Sequence, residues 1–398
     1  MNERNDCLSI ASEITRINQN IAAAYTACSD KGATMPTAQN SANLPDTISS
    51  IRQGSGAEVA SKYVDFIDTD GTILYSYTES EIMELTELPP LPERQGYTYQ
   101  EWNRSLSDIK AYGFPLVVGA VRIPSDGKTR LTFDLMYGGD LTVSIPFAEV
   151  SGLYLTFDWG DGTTEVYARS AATHTYASAG RYVVTIEANE TFSLNSLYNN
   201  ATLVKAEIGM RASLVGDVFY QCKNLEEVSI PIDCSIGNNL FMQCRRLKSV
   251  VIPSTVTSLS SFSGCKSLRR VSLPKGILSI PNNCFESCES IIRFSIPEPQ
   301  TGVKWAMFYG CESLQSIFIP AGITSITNNA FYNCQTLKTV DLSALTLVPT
   351  LANTNAFGNA INAVFYVRNA EMLSAFQSAT NWSTYANKMQ IGGKYAQA

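Results

Sequence analysis

The sequence predicts a mainly β, multidomain protein whose carboxy-terminal half is a repeat solenoid. Three observations carry this. The phrase Phe-x-x-Cys-x-x-Leu-x-x-Val-x-Ile-Pro recurs six times from Phe219 onward, with its cysteines at 222, 244, 265, 288, 311 and 334. Those steps of 22, 21, 23, 23 and 23 residues are the period of a solenoid. Residues 131–186 fall into short alternating runs separated by glycine-containing turns, which is a strand pattern. The chain is 45% hydrophobic and only 16% charged, the balance of an ordered, β-leaning protein.

The pattern divides the chain into five segments: 1–57, an N-terminal helical docking or oligomerisation segment with a linker; 58–114, a small β-hairpin plus helix module; 115–192, a β-sandwich; 193–367, the solenoid; and 368–398, a cap. Residues 6–29 read as a helix. Cys7, Ile10, Ile14, Ile17, Ile21, Ala24 and Cys28 alternate steps of three and four, which is a heptad seam. Isoleucine at both seam positions favours a three-stranded coil, hence a homotrimer, with packing on the chain itself or on a partner helix as the other outcome. Lys31-Gly32 ends the helix with an αL glycine. The run Gln53-Gly54-Ser55-Gly56 reads as a flexible linker.

In the next module two runs, 63–67 and 72–77, flank Asp68-Thr69-Asp70-Gly71, a hairpin turn. A calcium loop needs a glutamate at its twelfth position, and Tyr77 stands there. Leu88-Pro89-Pro90-Leu91-Pro92 is a stiff connector, and Trp102-Asn103 leads into a helix over 106–112 with Ser105 or Ser107 as its cap. In the sandwich, Asp158-Trp159-Gly160-Asp161-Gly162 places Trp159 in the core and turns a hairpin. Asp158 and Asp161 are therefore read as turn-formers rather than a catalytic pair, and His174 as a hydrogen-bonding residue at a strand start.

Within each repeat, Leu, Val and Ile at i, i+3 and i+5 put apolar side chains on the inner face of a short strand. One coil cannot bury that face alone, so stacked coils bury it jointly. The proline stops the strand because it has no N–H to donate. The repeat cysteines occupy one column and read as small buried apolar residues, free thiols that suit a reducing compartment. Ile291, Phe294 and Ser343 are drifts from the pattern, and weaker copies stand at 197–208 and 357–367. A helix near 371–376 and the run 381–386 form the closing cap that a solenoid end requires.

These motifs also carry resemblances. The repeats resemble the BspA-type leucine-rich repeats of bacterial and phage surface proteins, and the closing segment is similar as well. The pair Trp-Gly-Asp-Gly-Thr-Thr and His174-Thr175-Tyr176 with Gly180-x-Tyr182 resembles the PKD-type immunoglobulin-like domain, which implies a rigid spacer. Residues 33–48 resemble the amino-terminal segment of tail-fibre-like phage proteins, and 61–113 resembles a module of phage tail and gut-bacterial surface proteins.

Function follows by elimination and by resemblance. A net charge of -7 argues against nucleic-acid binding. The sole histidine is His174, and Cys284 with Cys288 form only a CxxxC pair, so neither a metal nor any other cofactor is expected. No run reaches the length of a membrane span, and Met1–Asp6 shows no secretory start. The expectation is a non-enzymatic phage virion protein, a tail fibre or receptor-binding component assembled in the host cytoplasm. Ile10, Ile14, Ile17 and Ile21 would dock it to other virion proteins. The repeats would bind a host cell-surface glycan or protein. A capsid-decorating head fibre and a bacterial cell-surface adhesin are the alternatives. Residues 229, 251, 272, 295, 318 and 341 are expected to point outward between the inward Val and Ile columns. On that face Lys248, Arg269, Arg270 and Arg293 give local positive charge, and Phe318 is expected as an exposed aromatic, so an anionic wall polymer or glycan fits.

Overall fold

A computed structural model describes residues 63–112, 115–136 and 139–396. The helix expected over 6–29, with Ile10, Ile14, Ile17 and Ile21, and the segments up to residue 57 lie outside the described residues.

The described chain opens with a four-stranded sheet of strands β1 (Tyr63–Ile67), β2 (Ile73–Thr78), β3 (Tyr97–Trp102) and β4 (Leu116–Pro124), in the order β2-β1-β4-β3. Two short helices, α1 (Glu79–Glu84) and α2 (Leu106–Ala111), cover one side. Ser105 caps α2 by accepting from the Asp108 N–H, and Thr78 and Glu81 form a capping box on α1. Val64, Phe66, Ile82, Trp102, Ile109 and Val118 make a core of their own. Leu116–Pro124 falls in the range expected for the sandwich. It pairs instead with β1 in parallel and with β3 antiparallel, because its almost wholly buried, apolar run suits a central strand.

The sandwich follows, with β5 (Thr129–Asp134), β6 (Thr142–Pro146), β7 (Leu155–Asp158), β8 (Thr164–Tyr167), β9 (Ala171–Thr175), β10 (Arg181–Ala188) and β11 (Phe192–Leu194). Trp159 is fully buried, and the Tyr176 hydroxyl donates to its carbonyl at 2.9 Å. Asp158 and Asp161 accept from the backbone N–H groups of Gly160 and Thr163, as turn-formers do. The His174 ring stacks on Trp159 and lies 2.8 Å from an Asp161 oxygen.

The sandwich does not end where the solenoid begins. Strand β12 (Leu203–Glu207), the weak copy at 197–208, pairs antiparallel with β5 and parallel with β14 (Glu227–Ser229), the first full repeat strand. One apolar core therefore runs from Leu131 in the sandwich to Met389 in the cap. The later repeat strands are β15 (Ser249–Val251), β16 (Arg270–Ser272), β17 (Arg293–Ser295), β19 (Ser316–Phe318), β21 (Thr339–Asp341) and β23 (Val364–Val367), and all of their pairings are parallel. A second line of parallel strands includes β13 (Ala212–Leu214), β18 (Gly302–Val303), β20 (Ser325–Ile326) and β22 (Thr350–Leu351). The apolar residues Leu259, Ile280, Val303 and Ile326, each six positions after a repeat proline, mark that second line.

Two ladders run through the coils. The repeat phenylalanines stack from Phe219 to Phe357, with ring centroids 4.9–6.0 Å apart and planes within 20°. That spacing is close to the natural distance between strands, so the stack adds contact without straining the coil. Beside it, each repeat cysteine from Cys244 to Cys334 donates its thiol to the carbonyl of the Phe in the preceding repeat, at 3.0–3.2 Å. The residue before each cysteine is left-handed: Gln221, Gln243, Gly264, Ser287, Gly310 and Asn333 have φ between 56° and 76°. Burial pushes the thiols up, Cys222 to about 12.

The carboxy-terminal cap is α3 (Ala370–Ser378), a 3-10 turn over Trp382–Lys388 and β24 (Met389–Ile391), which pairs with β23. The Asn369 side chain caps α3, and Trp382 is buried with its indole N–H on the Pro349 carbonyl at 2.8 Å.

Candidate ligand-binding cleft

The repeat strands expose an outer face only in isolation. In the fold β4 and the segment before it lie across that face, as three successive coils show. The Ser295 hydroxyl donates to the Pro115 carbonyl, Ser272 donates to Val117 at 2.9 Å, and Val251 packs against Gly119. Alternate residues of an extended chain share one side, so every second residue meets the next coil. Further along, Ser229 donates to the Arg122 carbonyl at 3.2 Å. Ile67, Val121 and Val251 form a small apolar contact, and Asn103 and Arg104 donate to the Ile252 and Leu273 carbonyls at 2.9 and 2.7 Å. The Arg104 guanidinium also lies over the Tyr112 ring. The carboxy-terminal end closes the far side: the Lys394 and Tyr395 N–H groups donate to Asp341 and Ser343, and the Tyr395 ring lies against Phe318.

This corrects the expected outward face. Phe318 is 2% exposed and is not a reading aromatic. Ser229, Val251 and Ser272 are buried as well, since serines and small apolar groups let another strand approach closely, and Asp341 is buried where it accepts from the Ser343 and Lys394 N–H groups. Arg270 and Arg293 are half-buried rather than free, and Arg270 lies 3.8 Å from Asp65. An exposed aromatic of the full repeats stands in a turn instead, Trp305, at 47%. Nothing in the Phe-x-x-Cys phrase signals Trp305, because it stands outside the repeated positions.

Three of the expected cations nevertheless come together. Lys248, Arg269 and Arg270 line a cleft of about 400 Å³ at the seam, closed on its other side by Asp70, Gly71 and Thr72 of the β1–β2 turn. Arg293 is not among its lining residues. Lys248 is paired with Glu226 at 2.6 Å. Arg269 is exposed, and no ion pair with another described residue engages it. The turn is held rigidly: Asp70 accepts from the Thr72 N–H at 2.9 Å, and Gly71, with φ of 85°, lies so close to Ser249 that a Cβ would stand 2.6 Å from its hydroxyl. Ser267 and Ser290 complete the cleft with hydroxyls. Such a lining can form ion pairs and hydrogen bonds with a ligand.

Residues 212–338 match the model of the BspA type leucine-rich repeat region in six copies, and residues 136–202 match the PKD domain. Among solved structures, the chain is similar to a leucine-rich repeat protein from Bacteroides ovatus, at 30% identity over 37% of this chain and 41% of that one, with a TM-score of 0.32. It is similar to a leucine rich cell surface protein from Faecalibacterium prausnitzii, at 21% identity over 44% of this chain and 63% of that one, with a TM-score of 0.31. It is also similar to the T. pallidum leucine rich repeat protein, at 19% identity over 52% of this chain and 92% of that one, with a TM-score of 0.33. The chain thus spans less than two thirds of the first two proteins. No curated protein matches it. The chain is mainly β and multidomain, with a PKD-like domain and a carboxy-terminal repeat solenoid.

Proposed function

We propose that this protein is a non-enzymatic recognition protein that binds a cell-surface glycan or protein through its repeat region. One observation carries the reading: the repeat strands are covered by β4 and the carboxy-terminal end, yet an open, polar cleft remains at the seam. Recognition sites are commonly concave and pre-formed. In this reading the chain is a receptor-binding component of a phage virion, carried on the tail. Ile10, Ile14, Ile17 and Ile21 join it to other virion proteins, as a homotrimer if the heptad seam pairs with itself. A bacterial cell-surface adhesin is the second reading, favoured by the match of 212–338 to BspA-type repeats.

Pull-down of the full chain on intact bacterial cells tests the recognition step, with specific, saturable binding as the expected result and none as its refutation. Immunogold labelling tests the location. Label on phage tails supports the virion reading, and label on bacterial envelopes without particles replaces it with the adhesin.

A further inference from the structure

We infer that the seam cleft is a two-walled site for an anionic polyol, in which the repeats hold the anionic group and the β1–β2 turn reads the hydroxyls. This deepens the recognition reading and rests on it. The repeat wall supplies cations. Lys248 and Arg270 have carboxylate neighbours in Glu226 and Asp65, whereas Arg269 is exposed and paired with no other described residue. A guanidinium offers a planar fork of donors matched to a carboxylate or a phosphate. The opposite wall supplies acceptors. Asp70 spends one carboxylate oxygen on the Thr72 N–H, which leaves the other to accept from a ligand hydroxyl. Thr72 on this wall, and Ser267 and Ser290 from the repeats, add hydroxyls that both donate and accept.

A ligand carrying only negative charge would be repelled by Asp70, and a neutral polyol would leave Arg269 unused. A ligand with an anionic group and neighbouring hydroxyls satisfies both walls. A cavity of about 400 Å³ is the size of a small-ligand site. The anionic group is a carboxylate, as on a uronic acid, or a phosphate, as along a polyol phosphate chain. Both present the same chemistry to the cleft.

Titration calorimetry of the full chain against polygalacturonate, poly(glycerol phosphate) and dextran tests this. Binding of at least one anionic polymer, with none to dextran, is expected, and the better of the two identifies the anionic group. Arg269→Gln should weaken that binding about tenfold or more, the loss of one charge-assisted contact. Asp70→Asn keeps the oxygen that accepts from Thr72 N–H but removes a negative charge. If Asp70 reads hydroxyls, binding weakens severalfold; if the cleft is only an electrostatic patch, binding tightens. Tightening or no change in Asp70→Asn overturns the two-walled site, as does unchanged binding in Arg269→Gln. If neither polymer binds while cells are still bound, the cleft assignment falls and the recognition reading stands. If no cells are bound either, both fall.

Discussion

At Gly119 the amino-terminal module and the solenoid leave no room for a Cβ, and replacing it by alanine should pry them apart. A Cβ at this position would lie 2.4 and 2.5 Å from the two Val251 methyl carbons and 2.9 Å from the Val251 Cβ. Rotating Val251 cannot clear the last of these. Retreat of β4 is also resisted, because the Gly119 N–H donates to the Asn103 side chain and its carbonyl accepts from the Asn103 N–H, both at 2.9 Å. Overpacking of this kind costs about 1–3 kcal/mol. Val251→Ala alone removes two buried methyls and should cost about 2 kcal/mol through lost transfer energy and a small void. In the double variant the two changes offset each other, so the cost should fall short of the sum by about 1–2 kcal/mol. Native-state hydrogen exchange of the amides in 117–121 and 250–252 reads the local opening free energy directly. Unchanged protection in Gly119→Ala would refute the docking argument, and so would strictly additive costs in the double variant.

Three further outcomes follow from the coil geometry and the turns. Ser287 is a left-handed residue with a Cβ, so Ser287→Gly should raise stability by about 1 kcal/mol and Asn333→Ala should lower it by a similar amount, measured as shifts in the urea midpoint. The Asp161 carboxyl is held at about 2, first by the Thr163 hydroxyl and then by the Thr163 N–H and His174. Its folded value lies below the unfolded one, so its contribution is present above about pH 4 and is lost as pH falls towards 2; Asp161→Asn should flatten the acid limb of a thermal-melt series over that range. The buried thiols from Cys222 to Cys334 should resist maleimide in the native protein and react on unfolding, as peptide mapping would show; rapid native labelling of the column would contradict its burial.

Much of the architecture is legible because it is periodic. A repeat of Leu, Val and Ile at fixed offsets can bury its apolar side only by stacking, so the coils, the strand positions and the cysteine column follow from spacing alone. Local chemistry settles the hairpin at Asp68–Gly71, the Ser105 cap and the turn role of Asp158 and Asp161, because each acts on backbone groups within a few residues. The candidate cleft is legible only in part. Lys248, Arg269 and Arg270 are visible as a cluster, but their opposite wall lies nearly two hundred residues away in the chain.

The solenoid, the sandwich and the closing cap are readable from the residues alone, since each is written as a local pattern. It took the folded chain to show that β4 lies across the repeat strands and leaves a cleft at the seam, and that the carboxy-terminal end buries Phe318. The reason is physical: alternation tells which side of a strand points away from its own core, not whether another element covers that side. A column of serines reads equally as a solvated surface and as the hydroxyls that dock a crossing strand.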